Sequence, residues 1–238
     1  MAAYSMKIEA KFDMKSFLPE KIDISRKTNY LLSEFEVSDL EEVDILIRTD
    51  LKDAQNIVEI MDIIENISDN PYIINIRGES QISSIFSLMR DYANSSYGLY
   101  FDSNFSELYN KFFENDILKK NLSDEISSLY DYLYSISPEA SKFLNKDYSA
   151  TVIRIYTNTG KKEKNIETLY NELAKDLKGE GIITGNIIVG FMVLKEIRNS
   201  QLSSLFFTII SSLILVEIFF YIRKKSYFLG FISMFPVF

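Results

Sequence analysis

Apolar and polar positions follow two different periods through the first 200 residues, and then the periodicity stops. Residues 6–12, Met-Lys-Ile-Glu-Ala-Lys-Phe, alternate with period two, as a half-buried strand does, until Phe17-Leu18-Pro19 breaks the pattern. Residues 25–35 read as a short helix. Val43 to Thr49 is rich in β-branched residues and reads as a strand, and residues 51–67 carry Ile57, Ile60, Met61 and Ile64 on one helical face. Pro71 stops that helix, and Tyr72 to Arg77 reads as the next strand. Ser80 opens a helix over 82–92, and 105–144 looks helical throughout, with breaks near Asn121 and Pro138. The first pattern then recurs, with a strand at 149–156, an amphipathic helix at 164–177 and a strand at 182–191.

Two strand–helix–strand units around a helical insertion predict an α+β extramembrane part built of two ferredoxin-like βαβ half-domains. The run that follows is of another kind. Ser204 to Ile222 reads SLFFTIISSLILVEIFFYI, with Glu217 as its one charge and Arg223, Lys224 and Lys225 closing it. About 20 mostly apolar residues cross a bilayer, and a core helix of a water-soluble protein would keep a polar stripe that this run lacks. The expected organisation is a domain over 1–198, a transmembrane helix over 199–223, and a turn at 224–238 that starts a second, truncated apolar helix.

Charge sets the expected orientation. Lys195 and Arg198 precede the apolar run by several residues, whereas three basic residues abut its end, so the end after residue 222 is expected in the cytoplasm and residues 1–200 outside. Residues 1–7 have no apolar core of a signal peptide, so that orientation needs an upstream helix to deliver the domain. The lipid bilayer is thus the first expected partner. The net charge of −8 gives no electrostatic footprint for nucleic acid.

Composition removes most chemistry. The chain has no Cys and no His, which excludes thiol and imidazole catalysis, disulfides and the usual zinc or haem ligands. Carboxylate-only hydrolysis remains conceivable, but the acidic residues are scattered over helical patterns as solvated faces usually are. The expectation is a protein that is not an enzyme, with no catalytic site, cofactor or metal. Glu217 is the candidate intramembrane acid, because an ionisable group at that depth is costly unless it has a role. Its position six residues before Arg223 also allows it to reach the head groups or to pair with Tyr221 or Lys224.

Several strings resemble the porter domain of the resistance-nodulation-division superfamily of exporters, in particular its MMPL-like, hydrophobe/amphiphile efflux branch. Asp13, Phe17, Leu18 and Pro19 look like that family's Asp-x-x-x-Phe-Leu-Pro signature, with Ser16 where an acid is common. Thr184-Gly185 looks like the Thr-Gly turn ahead of a membrane helix, and Ser226, Gly230 and Pro236 look like the loop and opening of the next one. Each string also has a plain structural reading, Phe-Leu-Pro as a core anchor and Thr-Gly as a tight turn. The resemblance implies an extracytoplasmic segment of a proton-driven exporter of lipophilic or amphiphilic compounds. It implies as partners the remaining transmembrane helices and second porter loop of that exporter and a small lipophilic substrate. The alternative is a membrane-anchored extracellular binding or sensor domain.

Overall fold

A computed structural model describes residues 41–97, 100–114, 116–119 and 125–224. The expected strand at 6–12 and helix at 25–35 lie outside the described residues. The chain divides into two compact units, residues 1–191 and 192–238.

Within the first unit, strand β1 (Glu41–Ile47) leads into helix α1 (Ala54–Ser68), a small hairpin of β2 (Asn75–Ile76) and β3 (Glu79–Ser80), and strand β4 (Ile82–Ser83). Helices α2 (Ile85–Ala93) and α3 (Ser103–Phe112), a second small hairpin of β5 (Phe113–Glu114) and β6 (Ile117–Leu118), and helices α4 (Ile126–Ile136) and α5 (Ala140–Phe143) form the insertion. Strand β7 (Thr151–Thr157), helix α6 (Glu163–Asp176) and strand β8 (Gly181–Thr184) follow, and then helix α7 (Asn186–Lys224).

The main sheet has the order β4-β7-β1-β8, with every neighbouring pair antiparallel. The two strand–helix–strand stretches therefore share one sheet among the described residues. Alternation in sequence becomes alternation in burial. Val43, Ile45 and Ile47 of β1 face the core with Ile153 and Ile155 of β7, and Ile45 sits opposite both Ile153 and Ile183. The other face carries Glu42, Asp44 and Arg154, and the Arg154 guanidinium donates to both Asp44 carboxylate oxygens, at 2.8 and 3.1 Å. That bidentate contact raises the Arg154 pKa further above its ordinary value.

Helix α1 begins at Asp53, whose carboxylate accepts the Gln55 N–H at 2.8 Å, and buries Ile57, Ile60 and Ile67. Helix α6 buries Ile166, Leu169 and Leu173, and Asn70 at the end of α1 donates to Glu172 of α6 at 2.7 Å. In the insertion, Tyr130 of α4 is fully buried, and its hydroxyl donates at 3.1 Å to the Leu51 carbonyl, so the aromatic ring enters the core without orphaning its polar end. Glu41 is also buried; its Oε2 accepts from the Thr159 backbone and hydroxyl at 2.9 and 2.7 Å.

Four expectations are corrected. The strand expected at 72–77 is a single bridge from Ile73 to Thr157 followed by the β2–β3 hairpin. Arg77 and Gly78, with φ of 56° and 88°, form a two-residue turn that reverses the chain before a long strand can develop. Helix α2 starts at Ile85 because Ile82 and Ser83 pair with β7 instead. The stretch 105–144 is broken by the β5–β6 hairpin, and the strand expected at 182–191 ends at Thr184.

Among the described residues the second unit is helix α7 from Met192 to Lys224. The helix of 39 residues, about 58 Å at 1.5 Å per residue, contains a segment long and apolar enough to cross a membrane. Most of its large side chains are exposed, with Leu205, Phe206, Phe207, Leu215 and Ile222 at 57 to 75 %, while Ile209, Leu213, Val216 and Phe220 form a half-buried stripe.

Candidate functional site

Three places in the described residues bear on function: the Thr184–Gly185 junction, Glu217, and a cleft in the first unit. The other positions singled out from sequence, Asp13, Phe17, Leu18, Pro19, Ser226, Gly230 and Pro236, lie outside the described residues.

Thr184 closes β8 opposite Asp44, and the Gly185 carbonyl accepts the Val189 N–H at 2.9 Å as α7 begins. Gly185 has φ +130°, and a Cβ there would lie 2.5 Å from the Glu42 carbonyl oxygen. The glycine is required by steric contact with the backbone of β1, which turns strand directly into helix. Thr184 is exposed, and the pair acts as a turn.

Glu217 is flanked on α7 by Val216 and Ile218, and its Oε2 has no hydrogen-bond partner among the described residues. Other polar groups of the helix are satisfied locally: Thr208 donates to the Ser204 carbonyl at 2.8 Å, and the Arg223 guanidinium stands 5.9 Å from the centre of the Phe219 ring. Glu217 is the one charge of an apolar stretch of the helix, and Thr184 and Gly185, the other candidate positions among the described residues, precede the start of α7.

The cleft, of about 700 Å³, lies between α1, β4, α2, α3 and the β5–β6 hairpin. Val58, Met61 and Ile64 form one wall and Phe86, Phe113 and Ile117 the other, while Asp62, Glu65, Arg90 and Asp116 supply its charge. Local structure fixes these groups. Ser84 and Ser87 form a reciprocal cap at the start of α2, each side chain accepting the other's N–H, and this sets the direction in which Phe86 and Arg90 project. Tyr109 and Phe113 stack with ring centres 4.6 Å apart and planes 12° from parallel. The Tyr109 hydroxyl donates to Asp116 Oδ1 at 2.9 Å. Burial, then that hydrogen bond, pushes the Tyr109 pKa well above its ordinary value, so the phenol stays a neutral donor.

No group of three or more Asp, Glu, His or Cys suited to a metal ion occurs among the described residues. The cleft was not visible in sequence. Its residues come from seven elements spread over 58–118, and no local spacing links them. The one local signal, Ser84-x-x-Ser87 before an apolar run, marks a helix start and says nothing of a cavity. No protein-family model matches the chain, and no curated protein is significantly similar to it.

Proposed function

We propose that the chain is an extracytoplasmic porter-domain segment of a proton-driven exporter of lipophilic or amphiphilic compounds, of the resistance-nodulation-division type, with its following transmembrane helix. In this reading residues 1–200 lie outside the cell membrane and Arg223 to Lys225 inside. The proposed partners are the other transmembrane helices and second porter loop of the exporter. The chain itself catalyses nothing and takes no cofactor.

The observation that carries the reading is the junction at Gly185: the last sheet strand passes into an apolar, membrane-length helix with one residue between them. The sheet order supports it as well. β7 lies between β1 and β4, and β1 lies between β7 and β8, so two split βαβ units interleave. We read this as one ferredoxin-like sandwich carrying a helical insertion, in place of two half-domains. Energy coupling would reside in the partner helices, because Glu217 is the only acid in the apolar run.

The experiment is dye export by the complete transporter in vesicles with an imposed pH gradient. Export should require residues 41–191 and should be absent with this chain alone. Gradient-driven movement of a lipophilic dye by the 238-residue chain alone, or export unaffected by deleting the domain, overturns the reading.

A further inference from the structure

Helix α7 is not uniform around its circumference. Residues 201–208 are exposed throughout, but between Ile209 and Phe220 a half-buried face appears, carrying Ile209, Leu213, Val216 and Phe220. Their spacing of four, three and four is that of a packed helix seam, whereas Ile214, Leu215, Ile218 and Ile222 on the other side stay exposed. We infer that this face is the docking surface for residues 227–238 of the same chain, which return along it as an antiparallel helix and bring Ser233 to Glu217. The inference needs α7 to span a membrane and does not depend on the exporter reading, since an anchored sensor domain would use the same hairpin.

Length, shape and polarity select this occupant. Residues 227–238 lie outside the described residues but belong to the same compact unit as α7, and Lys225 and Ser226 alone separate them from its end. A link of that length suits an antiparallel helix pair, whose loops run to about 2–5 residues. As helix, residues 227–238 cover about 18 Å, the length of α7 from Leu213 to Lys224, so they pass Phe220 and Val216 and reach Leu213. Ser226, Gly230 and Ser233 repeat the spacing of four and three, setting small side chains against those large ones, and Pro236 comes only after them. In lipid, small residues at the contact let two helices approach closely enough to associate. Glu217 lies eight residues before Lys225 and Met234 eight after Ser226, which puts Ser233 within one residue, about 1.5 Å, of the level of the acid. Glu217 Oε2 is shielded from solvent and has no hydrogen-bond partner among the described residues, and the Ser233 hydroxyl supplies a donor at that depth. A second copy of α7, parallel because both copies share one orientation in the membrane, would instead set Glu217 against Glu217 and large side chains against large ones.

The test exploits the absence of cysteine in the chain. Val216→Cys with Ser233→Cys is made in the full-length protein, reconstituted into zwitterionic vesicles, oxidised with copper phenanthroline and followed by electrophoretic mobility. A disulfide within one molecule is expected, seen as a monomer of shifted mobility that reverts on reduction, because facing Cα atoms of closely packed helices fall within the roughly 4.4–6.8 Å that a disulfide spans. Leu215→Cys with Ser233→Cys, whose first position is on the exposed side of α7, should form none. Should the first pair fail to insert, Leu213→Cys with Val237→Cys tests the same face. On that second pair Ser233→Ala is expected to slow the cross-linking about threefold, through loss of one interhelical hydrogen bond, and Ser233→Thr, which keeps the hydroxyl, to restore it. Cross-links found only in a dimer band assign the face to a second copy and overturn the inference. Equal yields for the Val216 and Leu215 pairs, or a rate indifferent to Ser233→Ala, overturn it as well.

Discussion

Residues 41–191 and residues 192–224 use the same apolar side chains in opposite ways. In the first unit Ile45, Ile57, Ile155 and Leu169 are completely buried, spaced by two along strands and by three or four along helices. On α7, Phe207, Leu215 and Ile222 are 74, 68 and 75 % exposed. Burial in the first unit is achieved by folding, and each apolar face has a protein partner. On α7 the apolar run sets no polar face against an apolar one, which suits a lipid environment.

The difference can be broken most sharply by truncation. Ile45→Ala removes a side chain packed between β7 and β8 and should destabilise the first unit by about 2–5 kcal/mol. Phe207→Ala, a larger deletion in atoms, should change it by less than about 0.5 kcal/mol. Thermal unfolding followed by near-ultraviolet circular dichroism in micelles distinguishes the two. Equal shifts would mean that the α7 side chains are covered by the folded domain.

Next in size is the junction between the regions. Gly185→Ala introduces a Cβ against the Glu42 carbonyl at a φ that other residues rarely adopt, and should cost about 2 kcal/mol or more. At Gly160, with φ +60° and nothing within 4 Å of an added Cβ, alanine should cost only about 1 kcal/mol. Equal losses in urea titrations would remove the steric account of Gly185.

A smaller effect is expected within α7. Glu217→Leu replaces the one charge of the apolar run, a few residues from its basic end, and should favour membrane insertion by about 1–2 kcal/mol. A glycosylation-based insertion assay reads this directly. Reduced insertion would show that Glu217 stabilises the spanning state.

The smallest effect concerns a polar rim of the first unit. The Tyr148 hydroxyl donates to Asp131, and Lys52 stands 5.5 Å from the centre of its ring. Burial, then the Asp131 hydrogen bond and charge, pushes the Tyr148 pKa up to about 12. Because the folded-state value is raised, its contribution is complete below pH about 10, the unfolded value, and is lost as pH rises through about 12. Stability measured across that window should fall, and Tyr148→Phe should flatten the fall. An unchanged slope in the variant would assign the loss to other groups.

The elements that were legible in sequence are those with long periodic runs: β1, α1, β7, α6 and the apolar helix. Their hydrophobic faces are made locally, so spacing alone reveals them. What was missed depended on partners remote in sequence or on single backbone angles. Ile187, Ile188 and Val189 have strand-like composition, yet they begin α7 because Gly185 turns the chain and the helix buries Ile187 and Ile188. Ile82 and Ser83 are strand only because β7 lies beside them, and no local signal predicts a two-residue pairing. The 105–144 stretch keeps three- and four-residue spacing across a hairpin, since Phe112 and Phe113 are both buried although the helix ends between them.

Strand β1 is the middle of the sheet, and its contact between Asp44 and Arg154 closes a gap of 110 residues. A ribosome adding roughly 5–20 residues per second needs about 5–20 s to supply that partner, far longer than helices or hairpins need to form. Throughout that interval Val43, Ile45 and Ile47 have neither neighbouring strand, and the edge supplied by β8 is made last, immediately before the apolar helix. Folding of this chain therefore has a built-in waiting period, in which β1, the first apolar strand among the described residues, is made well before either of its sheet neighbours.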